Sequence, residues 1–389
     1  MKIIFDARMY GLEHAGIGRY ILNLIRQIKN EKLKIKNLEI TLLIRKKNLK
    51  EISQKFGGVF KILVCDVSHY SLKEQFAVLL QLIKLKPDLV HFPHFNIPVF
   101  YPGRFVVTIH DLIKHTSKGM ETTTRAPLAY WFKYLGYRGV FSQAVKRAVK
   151  IIVPSMTVKD ELIKTYHLPE EKIEVIYEGV EEKFKIKNEK LKMTIQNAKI
   201  LDKYDIKRPF IIYTGSLYPH KNVERLVKAI ICLNDSNHFN KVMRLVVVCA
   251  RNVFYERFKK RVKEMKGERL IKFLGFVPDE DLAILYKQAE AFIFPSLSEG
   301  FGLPGLEAMA CGLPVVCSDI AVFREIYGEA ACYFDALDFR DMAKKIEMVI
   351  KNSKIRKGLI KNGFEKIKKY SWEKMAKKTL EVYENSLCI

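Results

Sequence analysis

Residues 291–318 read AFIFPSLSEGFGLPGLEAMACGLPVVCS. AFIFPS is a short apolar run and reads as a buried strand, and LPVVCS (313–318) reads as another. Between them GLPGLEAMACG carries the punctuation of a helix, with Pro304 at or near its first position and Gly312 just past its end. Strand, loop, helix and strand in so short a span is the repeating unit of a parallel sheet covered by helices. Glu299, Gly300, Phe301 and Gly302 then form a loop at the carboxyl end of a strand, leading into a helix N-terminus, which is where open α/β sheets bind ligands. The unpaired N–H groups of the helix start favour an anion, and glycine at 300 and 302 lets a phosphate approach the backbone. An ionised glutamate offers two acceptor oxygens to a vicinal diol. Glu299 is placed for a sugar, and Glu307, about one turn into the helix, for a ribose. Taken singly, Glu307 would merely complement the helix dipole and Glu299 would be a solvated loop residue; the loop around them favours the ligand.

The same alternation runs outward from this stretch. PFIIYTGS (209–216), RLVVVCA (244–250) and RLIKFLGF (269–276) precede it as strand candidates. Residues 181–208, polar and densely charged, form the linker candidate ahead of them. Further strand candidates are KIIFDAR (2–8), ITLLI (40–44), DLVHF (88–92), FVVTI (105–109) and KIIVPS (150–155). After the first comes a loop with Gly11, Gly16 and Gly18, and then Ile21, Leu24, Ile25 and Ile28, spaced for one helix face. SWEKMAKKTLEVYENSL (371–387) reads as a closing helix with Ser371 as N-cap. The expected division is 1–185, with the closing segment 371–389 joined to it, and 186–370.

Length and composition agree with two domains, since 389 residues exceed what one core usually supports. Apolar stretches such as Phe76 to Ile83 fall far short of the roughly 18 residues that span a bilayer, and the start MKIIFDAR has no signal-peptide pattern. The expected location is cytoplasmic, with a peripheral position at the inner face of the membrane open. Seven cysteines without CxxC spacing, most among apolar neighbours, read as buried reduced thiols. A net charge of +25 suits nucleic acid, an anionic membrane or phosphorylated substrates, yet the lysines are dispersed along helical patterns rather than gathered in one tail. No RNP-like aromatic motif or compact arginine patch supports a nucleic-acid partner.

SEGFGLPGLEAMACGLPVV resembles the Glu-x7-Glu signature of the retaining family 4 glycosyltransferases of the GT-B fold. The resemblance extends through DARMYGLEHAGIGRY, VHFPHFNIP, TIHDL, IIVPSMTVKDEL, EKIEVIYEGV, YTGSLYPHKN and FLGFVPDEDLAILYKQA, in order along nearly the whole chain. It implies an α/β protein of two doubly wound Rossmann-like domains facing a cleft, with the C-terminal helix crossing back to the first domain. It implies that Glu299 contacts the donor sugar, Glu307 holds the ribose, and the backbone of Gly300, Phe301, Gly302 and Leu303 lies against sugar and phosphates. Gly16 and Gly18 would approach the donor from the first domain. Lys221 matches the lysine that neutralises the leaving diphosphate, an electrostatic contribution to the transition state. The arginine common near it is missing, since Ser216 and His220 stand at the two positions; His220 or Arg251 is the available substitute. His110 matches a residue near the reacting sugar, and Phe276 and Val277 lie where relatives contact the nucleobase.

Three further stretches need a reading. His91 and His94 in VHFPHFN belong to a second candidate cleft loop, without a third ligand at metal spacing. PDEDL (278–282) contains Asp-x-Asp, but Asp279 followed by Glu280 and Asp281 at a helix start reads better as an N-cap with dipole-complementing acids, so no obligatory metal is expected. In 125–150, Tyr130, Tyr134, Tyr137 and Phe141 form one helical stripe beside Trp131, Lys133, Arg138, Lys146 and Arg147, which suits either core or a membrane interface. The resemblance implies hexose transfer with retention from a nucleotide-sugar donor to a glycan or lipid-linked glycan, the departing phosphate helping to deprotonate the acceptor. DARMYGLEHAGIGRY and YTGSLYPHKN resemble the mannosyltransferase branch that builds cell-surface polysaccharide. GDP-mannose is therefore the expected donor, with a UDP-sugar for a glucosyl or N-acetylglucosaminyl enzyme the alternative. A sugar-nucleotide epimerase of the same fold is disfavoured by the complete Glu-x7-Glu loop.

Overall fold

The computed structural model describes residues 1–11, 14–32, 38–116, 127–185, 195–235, 241–249 and 253–387. The chain forms two compact units, Met1–Leu112 with Arg125–Gly179 and Ser371–Ile389, and Ile113–Thr124 with Val180–Tyr370.

The first unit is built on strands β1 (Lys2–Asp6), β2 (Glu39–Ile44), β3 (Lys61–Val64), β4 (Leu89–Phe92), β5 (Phe105–Thr108), β6 (Lys150–Val153) and β7 (Ile173–Val175). All pair in parallel, in the order β3-β2-β1-β4-β5-β6-β7. Helices α1 (Ala15–Lys32), α2 (Leu49–Phe56) and α3 (Leu72–Leu85) connect the early strands, and the short α4 (Ile113–Thr116), which follows β5 in the chain, is counted with the second unit. Then come α5 (Pro127–Arg147) and α6 (Met156–Tyr166). Ile21, Leu24, Ile25 and Ile28 all lie on the buried face of α1, as their spacing predicts. Ser71 caps α3, accepting from the Glu74 amide, and Ser155 caps α6 through Val158.

Apart from α4, the second unit opens with α7 (Ile195–Lys203) and carries β8 (Phe210–Thr214), β9 (Arg244–Val248), β10 (Ile271–Leu274), β11 (Phe292–Phe294), β12 (Val315–Ser318) and β13 (Ala331–Phe334). This sheet is also all parallel, in the order β10-β9-β8-β11-β12-β13. Its helices are α8 (Val223–Asp235), α9 (Val253–Glu264), α10 (Asp279–Gln288), α11 (Leu303–Ala310), α12 (Ala321–Tyr327), α13 (Phe339–Lys351) and α14 (Ser353–Ile367). The last helix, α15 (Trp372–Leu387), belongs to the first unit and packs on α1, with Ser371 Oγ accepting from the Lys374 amide at 3.4 Å.

The interior strands match the apolar runs of the sequence because both faces of a parallel sheet are covered and both must be apolar. β3, β7 and β13, absent from the strand candidates, are all edge strands of three or four residues with half-exposed positions. So few residues, partly exposed, carry a weak apolar pattern, whereas β10, also at an edge, stands within the longer run RLIKFLGF.

Candidate active site

In each sheet the strand order turns about beside one strand, β1 in the first and β8 in the second, and neighbouring loops there part in opposite directions. After β8 the chain makes a 3-10 turn over Pro219–Lys221; after neighbouring β11 it runs through Pro295–Gly302 into α11. Lys221 and Glu299 meet between these strand ends. Lys221 Nζ donates to Glu299 Oε1 at 2.6 Å, and the Ser296 hydroxyl donates to the same oxygen at 2.7 Å. The two side chains are only 17% and 11% exposed, so the pair is desolvated enough for geometry to matter yet open to a ligand.

The loops carrying the pair are tied by Asn222, which adopts φ 57° and is buried. Its Nδ2 donates to Pro295 O at 2.9 Å and Ala336 O at 2.8 Å, joining the ends of β8, β11 and β13. The Leu297 amide donates to His220 O at 2.8 Å. Burial, followed by the charge of adjacent Lys221, pushes the His220 imidazole down to about 4. His220 is therefore neutral at pH 7 and stacks near Tyr218, so it does not replace the charge of a missing arginine. Arg251 lies outside the described residues.

Gly302 is the N-cap of α11 with φ 105°, and no side chain caps the helix. Buried Tyr327 donates its hydroxyl to Gly302 O at 2.5 Å. A Cβ at Gly302 or Gly305 would come within 2.3 Å of that hydroxyl oxygen, so glycine is required twice, and at 302 the backbone conformation also demands it. Pro304 occupies the first turn. Gly300 and Phe301 are buried, Phe301 edge-on to Tyr370, while Leu303 is half-buried at the helix start. Glu307 is 4% exposed, one turn along α11. Ser216 follows β8, its carbonyl accepting from the Tyr213 hydroxyl at 2.6 Å. Val277 is buried and Phe276 exposed after β10, two strands from β8 along the same end of the sheet. The residues around Lys221 and Glu299 are thus brought together, with Val277 at a distance of two strands.

The PDEDL acids differ from the expected N-cap. Pro278 is the N-cap of α10, and Asp279, Glu280 and Asp281 fill its first turn, because the proline's fixed φ already holds the chain extended there. Asp279 pairs with Lys183 at 2.5 Å, and Asp281 with Lys203 at 2.6 Å and the Tyr204 hydroxyl at 2.7 Å. Among the described residues no group of three His, Cys, Asp or Glu side chains is placed to hold a metal ion.

In the first unit, His110 follows β5. Its Nε2 lies 3.0 Å from Pro93 O and its Nδ1 3.6 Å from Glu178 Oε1, with Tyr20 edge-on to the ring. Glu178, within the quoted YEGV motif but given no role in the sequence reading, is buried. Gly16 and Gly18 are not in a loop: both lie in the first turn of α1, which begins at Ala15. Gly18 is required there because a Cβ would sit 2.0 Å from Gly11 O, whereas a Cβ at Gly16 meets nothing among the described residues. His91 is not a loop residue either. It lies on β4, fully buried, with Nδ1 2.6 Å from the Tyr383 hydroxyl and Nε2 2.8 Å from Thr108 Oγ1. Burial, then the nearby His110, pushes it down to about 3, so it is a neutral core histidine. His94 does lie in the loop after β4, its Nε2 3.4 Å from the Tyr70 hydroxyl.

The sequence reading also passed over the Arg8 network at the end of β1. Arg8 grips Asp6 through Nε at 2.8 Å and Nη2 at 2.7 Å, and Glu74 at 2.8 Å. Burial alone would raise the Asp6 carboxyl, but Arg8 holds it below its usual value. Glu74 also accepts from the Tyr70 amide and from Asn96 Nδ2, both at 2.7 Å, binding the loops after β3 and β4 together. The Asp-x-Arg spacing in KIIFDAR was the only signal, and such pairs are common on surfaces.

Two family models match the chain: Glycosyltransferase Family 4 over residues 15–184 and Glycosyl transferases group 1 over 196–366. The chain is 27% identical to the O-antigen chain mannosyltransferase B of Escherichia coli over 99% of this chain and 100% of that one. It is 30% identical to the O-antigen chain mannosyltransferase RfbU of Salmonella typhimurium over 68% of this chain and 64% of the other. Among solved structures it resembles sucrose-phosphate synthase from Thermosynechococcus elongatus, with a TM-score of 0.77, 18% identity and 99% of both chains covered. It likewise resembles Anabaena HepE in complex with UDP and glucose, with a TM-score of 0.74, 17% identity and 99% and 100% covered. With two parallel-sheet Rossmann-like units and both family models matched in order, the chain belongs to the family 4 glycosyltransferases of the GT-B fold and is a glycosyltransferase.

Proposed function

We propose that this enzyme transfers mannose from GDP-mannose, with retention, to a hydroxyl of a glycan or lipid-linked glycan in cell-surface polysaccharide synthesis. The observation that carries the reading is the Lys221–Glu299 pair, held by Ser296 between the β8 and β11 ends ahead of an uncapped helix start. A donor diphosphate would take the N–H groups of α11 and compete for Lys221, which then faces the charge that develops as the glycosidic bond breaks. Glu299, released from the lysine but still oriented by Ser296, would accept from the sugar hydroxyls, and Glu307 from the ribose. The charge compensation in this reading comes from the lysine and the helix, without an obligatory metal. No side chain is assigned as nucleophile; the departing phosphate takes the acceptor proton. The mannose assignment draws on the two O-antigen relatives, which are named as mannosyltransferases. No described helix is long and apolar enough to cross a membrane, and we place the enzyme in the cytoplasm, in peripheral contact with the inner face of the membrane.

The test is nucleotide release from a panel of GDP- and UDP-sugars, with and without EDTA. GDP release from GDP-mannose in EDTA is expected, with the anomeric configuration of the product read by NMR. Release from a UDP-sugar alone would replace the donor, activity restored only by magnesium or manganese would overturn the metal-free reading, and an inverted product would overturn retention.

A further inference from the structure

The outer side of α3 departs from what a surface helix normally presents. Its inward positions Glu74, Val78 and Leu82 are buried, yet Leu72, Phe76, Leu80 and Ile83 are 80%, 60%, 66% and 47% exposed. These four fall at i, i+4, i+8 and i+11, one line along the solvent side, where an amphipathic helix would carry polar residues. The loop after β4 continues the apolar surface with Phe100, 77% exposed. Gln75 of α3 holds this loop, donating to Ile97 O and accepting from the Val99 amide, each at 2.9 Å. Arg147 of α5 holds it from the other side, donating to the carbonyls of Val99 and Tyr101. On α5, Phe132 and Leu135 are 71% and 66% exposed. Both helices turn their inner faces into one core cluster with Val78, Leu82, Phe141 and Ala144, so they cover the same side of the sheet.

The exposed charge of α3 and α5 is one-signed, while the acids of this side, Asp160 and Glu161, lie on α6. α5 has no Asp or Glu over its length and carries Lys133, Arg138, Lys146 and Arg147. The single acid of α3, Glu74, is buried against Arg8, and Lys73 and Lys84 are exposed. In the same unit α15, by contrast, interleaves its lysines with Glu373, Glu381 and Glu384.

We propose that the α3 ridge, Phe100 and the outer side of α5 form the surface by which the enzyme docks on an anionic lipid leaflet. The apolar side chains enter the boundary between headgroups and acyl chains, and the lysines and arginines meet the headgroup charge. Charge complementarity favours lipid over a second copy of this chain, because an isologous contact through α3 and α5 would press together helices whose exposed charges are all basic. The proposal deepens the membrane-contact reading above and rests on it for its biological purpose. It also relocates the contact from the Tyr130–Phe141 stripe, whose lower end, Tyr137 and Phe141, packs into the core.

The test is co-flotation of the full-length protein with vesicles of phosphatidylcholine with and without phosphatidylglycerol, at low and high salt. Wild type is expected to float with the anionic vesicles, less at high salt. Phe76→Ser with Leu80→Ser should weaken this roughly tenfold or more at either salt, since buried apolar area carries the insertion. Lys133→Glu with Lys146→Glu should weaken it chiefly at low salt. Wild type that ignores anionic vesicles overturns the proposal, as do both double variants binding like wild type with unchanged melting. So does a wild-type dimer in sedimentation that Phe76→Ser with Leu80→Ser converts to monomer. GDP release from GDP-mannose without vesicles tests the catalytic reading separately: vesicle binding without turnover sinks only that reading, and turnover without vesicle binding sinks only this one.

Discussion

At the scale of single residues, Lys221 and Glu299 satisfy one another, so each substitution acts on charge and on alignment together. If Lys221 acts as proposed, on charge that grows in the transition state, Lys221→Ala should lower turnover at least about tenfold while changing affinity for the bare nucleoside diphosphate less. Equal losses in both, measured by steady-state kinetics and calorimetry, would make it a simple binding residue. Gly302 tests the loop. Gly302→Ala forces a φ of 105° on an L residue and drives a Cβ into the Tyr327 hydroxyl, so it should cost on the order of 2 kcal/mol or more in thermal unfolding. Tyr327→Phe removes the nearest obstacle and the hydrogen bond to Gly302 O, leaving Phe323 Cε1 at 3.0 Å. The double variant should therefore lose less than the sum of the singles; strict additivity would show that the two do not interact.

At the scale of elements, β4, β5, α1 and α15 meet at one buried polar chain: Tyr383 hydroxyl, His91, Thr108 and Tyr20 hydroxyl. The unfolded chain binds a proton at His91 near pH 6.5. The folded chain, with this imidazole pushed down to about 3 by burial, does not. Between those values the unfolded state holds more protons, so stability contributed by neutral His91 is present above about 6.5 and lost as pH falls. His220, pushed down to about 4, adds the same sign in the second unit. Both tryptophans, Trp131 and Trp372, belong to the first unit, so their fluorescence reports its unfolding alone. The urea midpoint followed this way should drop between pH 7 and pH 5, and drop less in His91→Gln. A midpoint that is flat, or that falls equally in the variant, would remove His91 from the account.

At the scale of the whole molecule, the chain returns at Ser371 to finish the first unit, and α15 covers α1 and closes over His91 with Tyr383. A chain ending at Tyr370 should lose the cooperative unfolding of the first unit while the second keeps its own sheet and its Lys221–Glu299 site. Near-UV circular dichroism and calorimetric titration with GDP check the two halves of this statement. Retained cooperative unfolding of the first unit would mean that α15 is an accessory; loss of the GDP binding that the proposed function expects of the full chain, once measured there, would mean that the second unit is not self-sufficient.

The interior strands, the turn of α11 at Pro304 and Gly312, and the candidate loop Glu299–Gly302 were legible from residue order, because period, helix punctuation and burial on both faces of a parallel sheet are local properties of a sequence. Strands β3, β7 and β13 were not, since three or four partly exposed residues carry little pattern, while β10, also at an edge, is read from the longer run RLIKFLGF. Nor was the placement of Gly18 inside α1: its requirement comes from Gly11 O, and a loop and a helix start place similar demands on glycine. His91 and His110 look alike in sequence, each near the end of a strand. Only the fold buries the first against Tyr383, on the last helix, and sets the second beside Glu178. The same holds for Arg8 with Glu74, Asn222 with Pro295 and Ala336, and Tyr327 with Gly302. Gly302 lies 25 residues from Tyr327, and Asn222 lies 73 and 114 residues from Pro295 and Ala336. Pairing at such distances is decided by which strand ends the topology places side by side, a property of the assembled sheet rather than of any stretch within it.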